Sequence, residues 1–148
     1  MYRSDVTDPF LGSRNLFQKS FEPTIMEYIP GERNIDAGGR LGREIGSVIG
    51  FSGFLLLLAV YSEALLSLRG ILTGSFLLYF GFYNFIQEEQ SFCGTFGAIG
   101  FHYGEEGLEK TSDEENRSAD IRKSLRQNSA ALILTLLFTG WTSLLLAV

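Results

Sequence analysis

Three stretches of this chain, Ile45 to Ser62, Gly70 to Gln87 and Gln127 to Val148, contain no charged residue. Nothing else in the sequence restricts the fold as strongly. The hydrocarbon layer of a bilayer is about 30 Å thick and a helix rises about 1.5 Å per residue, so roughly 17 to 25 apolar residues cross it. All three stretches reach that length. Unsatisfied backbone amides and carbonyls are so costly in lipid that segments of this kind cross it as helices. The sequence therefore predicts an all-α, three-pass transmembrane protein. Its spans fall at about 45–62, 70–87 and 128–148, within one membrane domain covering 38–148. Residues 88–127 form an interfacial and polar loop.

The distribution of charge predicts orientation. Of the basic residues, six precede the first span, five lie between the second and third, and Arg69 stands alone in the short loop between the first and second. Lys and Arg flanking spans stay on the cytoplasmic side. An eleven-to-one split thus places the amino terminus and the 88–127 loop on the cytoplasmic, matrix or stromal side, with the carboxyl terminus opposite. Asp5, Asp8 and Pro9, with no apolar core after them, make a poor signal or transit peptide, so the first span is expected to do the targeting. The net charge of -5 is too mild to imply a nucleic-acid partner.

Small residues recur at helical spacing: Gly38, Gly42, Gly46 and Gly50 are four apart, Gly53 follows, and Gly70 and Gly74 repeat the device in the second span. On helices this makes smooth stripes against which another backbone can pack closely, although glycine is also simply common in membrane helices. The partner of the stripe is either the second span or another protein. Glu63 and Arg69 bracket a short connection, which makes the first two spans a tight antiparallel hairpin.

Residues 1–37 mix charges, prolines and apolar residues from Phe10 to Ile29, and Glu22-Pro23 is placed to open a short helix. An amphipathic segment lying on the membrane or against a partner is expected there, with a plain flexible tail as the alternative. Between Ser91 and Leu108 glycines and aromatics alternate too irregularly for a span and read as an interfacial loop. Ser112 with Glu115 has capping-box spacing, and no proline or glycine follows before Gly140. One long third helix with a charged cytoplasmic stem is the expectation. Arg43, Arg69, Arg122, Lys123 and Arg126 would anchor the protein at phosphate depth, and bound lipid is expected.

Little in the sequence points to catalysis. Cys93 and His102 are the sole thiol and imidazole, nine residues apart, with no orienting motif around them. Too few ligands accompany them for a metal site, no phosphate-binding glycine loop is present, and the span interiors lack the ionisable groups that transporters and channels usually carry there. No catalytic residue, metal or cofactor is predicted. Asn116-Arg117-Ser118 matches a glycosylation sequon, but the expected orientation keeps it out of the lumen.

From Arg43 onward, Leu78-Tyr79-Phe80, Tyr83, Ile86, Glu88-Glu89, Gly94-Thr95 and Glu106-Gly107-Leu108 resemble the small three-helix family of the Rab5-interacting protein and the sixth subunit of the ER membrane protein complex. That resemblance implies a tight hairpin, an acidic cytosolic turn, a third helix and an accessory, non-catalytic role in membrane-protein insertion or assembly. The loop from Glu109 to Gln127 is longer than in that pattern. Asp8-Pro9-Phe10, Gly12, Pro30, Arg33, Glu44-Ile45-Gly46 and Gly50-Phe51 resemble subunit XI of photosystem I instead. In that alternative Glu44 would contact chlorophyll, but the accompanying histidine position is Ile49 here. Other integral membrane subunits are the expected partners, in an ER, mitochondrial inner or thylakoid membrane.

Overall fold

The computed structural model describes residues 27–104 and 107–147. The Glu22-Pro23 element and most of the expected surface segment lie outside them. The described chain is mostly helical. Helix α1 spans Ala37–Val60, a 3₁₀ turn covers Ser62–Leu66, and α2 spans Leu68–Glu89. A short α3 (Gly94–Ile99) leads into strands β1 (Phe101–Gly104) and β2 (Gly107–Lys110), and α4 runs from Glu114 to Leu146.

Capping residues set the boundaries. Asp36 accepts a hydrogen bond from the Gly39 amide at 2.7 Å, so α1 starts eight residues before its uncharged run. Ser67 caps α2 by accepting from the Gly70 amide at 3.1 Å. The cap of α4 is Asp113, which accepts from Asn116 N, rather than Ser112; the acids Glu114 and Glu115 then fill the first turn. A carboxylate at that position satisfies the same amide and also opposes the positive end of the helix dipole. Stem and expected span form one uninterrupted helix of 33 residues, about 50 Å long.

The region read as an irregular loop is ordered into two small elements. Gly100, at φ +78°, closes α3 in the left-handed conformation that glycine adopts without strain. The chain then reverses through an antiparallel hairpin in which Phe101 pairs with Lys110 and Gly104 with Gly107.

Helix α2 is the middle of the bundle. It packs on α1 along one side and on α4 along the other, where Ser75 and Thr139 are joined by a hydroxyl hydrogen bond at 3.2 Å. Its buried residues, Gly70, Gly74, Leu78, Gly81, Asn84 and Gln87, form a single stripe. Two of the three expected spans, α1 and α4, are long and apolar enough to cross a membrane. Helix α2 carries Asn84, Gln87 and two tyrosines along with its glycines, and these lower its hydropathy. Its central position explains why: the polar stripe packs against protein on both sides.

Only 22% and 11% of the apolar windows of α1 and α4 are buried. A helix at the core of a water-soluble domain would be mostly buried. The inter-helix core is correspondingly small, with Phe54, Leu65 and Leu78 at its centre and Phe51, Leu77 and Phe82 packed around them. Leu55, Leu56, Leu136, Leu137, Trp141 and Leu144 all face outward.

Candidate functional site

Among the described residues, the densest hydrogen bonding outside the helices lies where the start of α1, the end of α2 and the stem of α4 meet. The connection from α2 to α3 crosses this end through Ser91, whose φ of +49° is exceptional for a residue with a side chain. Its carbonyl accepts from the amides of Asn34 and Ile35. Asn34 continues the pairing with its side chain: Oδ1 accepts from Cys93 N at 2.6 Å, and Nδ2 donates to Cys93 O at 3.0 Å. One buried amide thereby imitates a strand, holding residues 34 and 93 together across 59 positions of sequence.

Two glutamines fill the layer beneath. Gln87 Oε1 accepts from Arg43 Nε at 3.1 Å and from Gly94 N at 3.3 Å. Gln127 Nε2 donates to Gln90 Oε1 at 3.2 Å and to Phe92 O at 3.1 Å. Arg43 also donates through Nη2 to Cys93 Sγ at 2.9 Å, and Arg40 forms an ion pair with Glu88 at 2.6 Å. Burial without partners would cost each of these groups about 1 to 3 kcal/mol, so the network specifies a single arrangement of the three helices.

A second cluster ties down residues 28–31. Asp120 is completely buried, and its two carboxyl oxygens accept separately, Oδ2 from Tyr28 Oη at 2.8 Å and Oδ1 from Gly31 N at 2.7 Å. Gly31 has φ +70°, and a Cβ there would lie 3.2 Å from Ala119 Cβ. The ring of Tyr28 stacks on His102, with centroids 3.8 Å apart. His102 Nδ1 is 3.1 Å from Thr111 Oγ1, and Nε2 is 3.8 Å from Glu109.

Burial pushes the Tyr28 hydroxyl up to about 12, with the neighbouring Asp120 carboxylate adding to the rise and the Thr111 hydroxyl opposing it. The sign of the pH effect follows. A tyrosine that holds its proton longer in the folded state stabilises the fold fully below its ordinary value near 10 and loses that contribution as pH rises from about 10 to 12. Beyond the hydroxide-catalysed rise common to all amides, exchange at Gly31 should therefore accelerate across that interval in the native protein, and that extra step should vanish in Tyr28→Phe. Unchanged exchange kinetics in the variant would refute the assignment.

Cys93 and His102 do not form a unit. Cys93 is sealed from solvent and engaged by Arg43, whereas His102 belongs to the Tyr28 and Thr111 cluster. Among the described residues no three His, Cys, Asp or Glu side chains converge to hold a metal ion. Glu44 is exposed on α1.

The glycine stripe divides in two. A Cβ on Gly50 would lie 2.6 Å from Gly81 N and 2.8 Å from Leu77 O, one on Gly46 2.8 Å from the Asn84 side chain, and one on Gly53 3.1 Å from Leu77. These residues face α2. Gly74 faces Leu65 and Phe54, and Gly70 is buried at the start of α2. Gly38 meets only its own neighbour Asp36, and Gly42 meets nothing within 4 Å.

Nothing among family models, curated proteins or solved structures matches this chain. Its geometry therefore carries the functional reading.

The contact that the sequence concealed is between α3 and α4. Gly94 and Gly97 are buried on one face of α3, where a Cβ on Gly97 would lie 2.7 Å from Ser124 Oγ and one on Gly94 2.9 Å from Gln127 Oε1. Their spacing of three was the available signal. Amid five glycines in fourteen residues it was indistinguishable from loop composition.

Proposed function

We propose that this chain is a non-catalytic, three-pass membrane subunit that packs into a larger assembly, in an accessory role of insertion or assembly type or within an energy-transducing complex. The observation that carries the reading is the outward exposure of the apolar windows of α1 and α4. Helix α2 is the third span, shielded between the other two. The polar end of the bundle gathers Arg40, Arg43, Arg122, Lys123 and Arg126, while Arg69 sits at the opposite end. This favours an orientation with residues 27–36 and the α3 and hairpin region on the cytoplasmic, matrix or stromal side. Most of the buried polar groups at this end are satisfied by one another and Cys93 is sealed, which supports a structural role over a catalytic one.

The α1 surface open to another subunit comprises Gly42 with Leu41, Ile45, Val48 and Ile49 around it. Gly46 and Gly50 are already occupied by α2, so replacing them tests the hairpin and not the assembly. Gly42→Leu should leave the fold intact and reduce co-purification of partner subunits in gentle detergent by about tenfold, the effect of about 1.4 kcal/mol. Undiminished co-purification would refute docking through this face. Alkaline carbonate tests the membrane placement, because release of the chain from the membrane pellet would overturn it.

A further inference from the structure

From the groove between α2, α3 and α4 we infer that this chain holds one anionic phospholipid, its phosphate against Arg122 and Arg126 and an acyl chain running down past Leu132. The inference rests on the membrane reading above.

Two adjoining cavities, of about 290 and 410 Å³, share Asn128 and line up along α4. Their α4 wall is Ile121, Ser124, Leu125, Asn128, Ser129 and Leu132, a broad helix face along which Ile121, Leu125, Asn128 and Leu132 follow at spacings of four, three and four. From Ile121 to Leu132 the groove extends about 17 Å, close to the depth of one leaflet. The opposite wall is Tyr83 and Tyr79, stacked with centroids 5.6 Å apart, and Thr95 and Ile99 close the upper end.

Both cavities are mainly apolar with a few polar groups in each: Tyr83, Thr95, Ser124 and Asn128 in the upper one, and Tyr79, Asn128 and Ser129 beside Leu132 in the lower. The Tyr79 hydroxyl donates to Asn128 Oδ1, which leaves the Asn128 amide group for a ligand acceptor. Gln127 is 1% exposed, and its Oε1 has no hydrogen-bond partner among the described residues. It lies behind Gly94 beside Tyr83 Oη, as the approach of a Gly94 Cβ to both oxygens indicates.

Charge selects the headgroup. Arg122 and Arg126 lie outside the cavity linings, in a row at i, i+4 and i+7 with Ser129, which lines the lower cavity; Arg122 is also three residues before the lining Leu125. Both arginines are exposed, and Arg126 forms no ion pair among the described residues. Arg122 donates to Ser118 Oγ at 3.2 Å, a neutral partner that leaves its charge uncompensated. The cavity linings contain no Asp or Glu. An uncharged partner helix would make no use of the two cations, whereas a lipid phosphate pairs with both at the depth where the uncharged span begins.

The full chain, purified in mild detergent and stripped of lipid, would be titrated with phosphatidylglycerol and with phosphatidylcholine of the same acyl length, and occupancy read by native mass spectrometry. One phosphatidylglycerol per chain should bind, at least tenfold more tightly than phosphatidylcholine. In Arg122→Gln/Arg126→Gln affinity should fall by about thirtyfold, since each surface arginine contributes roughly fivefold. Ala98→Phe, which fills the upper cavity, should abolish binding of both lipids. Equal affinity for the two headgroups, unchanged binding in the double variant, or absence of bound lipid would overturn the assignment. A photo-crosslinker at Leu125 that captures a protein chain in native membranes, and no lipid, would also overturn it. A chain that resists carbonate extraction yet binds no lipid refutes this site alone; release by carbonate refutes the membrane reading and the site with it.

Discussion

Gly50→Leu should strongly destabilise the α1–α2 hairpin. A Cβ at this position would lie 2.6 Å from the Gly81 amide nitrogen, 2.7 Å from Gly81 Cα and 2.8 Å from the Leu77 carbonyl oxygen. All three are backbone atoms in the middle of α2, so no rotamer change relieves the clash and the helices must separate. Overpacking of this kind costs about 3 kcal/mol, and each added methylene prevents the helices from closing again. Gly46→Ala is milder, because its Cβ meets the Asn84 side chain, which can turn at the loss of its hydrogen bond to Phe80 O; about 1 kcal/mol is expected. Gly42→Ala, with nothing within 4 Å, should gain slightly through helix propensity. Thermal unfolding in detergent should rank the three in that order, with Gly50→Leu lowered by roughly 10 °C. A Gly50→Leu protein that melts with the native one would show that α1 and α2 do not touch here.

The series also marks what the sequence could convey. The spacing of Gly38, Gly42, Gly46 and Gly50 was visible as a stripe because helical period is a local property. Which of its members would meet α2 was not, since that depends on where the antiparallel hairpin brings Gly81 and Asn84 alongside. The long α4 was legible for the same local reasons: an acid-rich first turn, no breaker, and an uncharged tail. Only its cap differed, by one residue, because Ser112 and Asp113 are both competent and Asp113 also opposes the helix dipole. The polar end of the bundle was opaque. Asn34 and Cys93 are 59 residues apart, and Tyr28 and Asp120 are 92 apart. Neither pair belongs to a periodic pattern, and α3, with six residues, is too short to show a period at all.

Asp120 offers the sharpest test of that polar end, because two substitutions at one position should behave oppositely. In Asp120→Leu the Gly31 amide and the Tyr28 hydroxyl both lose their acceptor in a site that excludes water. The expected cost is about 3 kcal/mol, the sum of two unsatisfied donors partly relieved as residues 28–31 pull away into solvent. Asp120→Asn can keep both contacts. Its Oδ1 continues to accept from Gly31 N, and its Nδ2 donates to Tyr28 Oη, reversing the sense of the second bond, because a phenolic oxygen accepts as well as donates. A loss under about 1 kcal/mol is expected there. Hydrogen exchange at Gly31 and Glu32 separates the two outcomes: near-native protection in Asp120→Asn, collapse in Asp120→Leu. The asparagine variant also removes the charge beside Tyr28 without removing burial, which is the main cause of its elevated pKa. The tyrosine should then titrate between its ordinary value near 10 and about 12, and a spectrophotometric titration at 295 nm would follow it. Equal destabilisation by both substitutions would show that the carboxylate charge, and not the pair of accepted hydrogen bonds, holds the amino-terminal segment to α4.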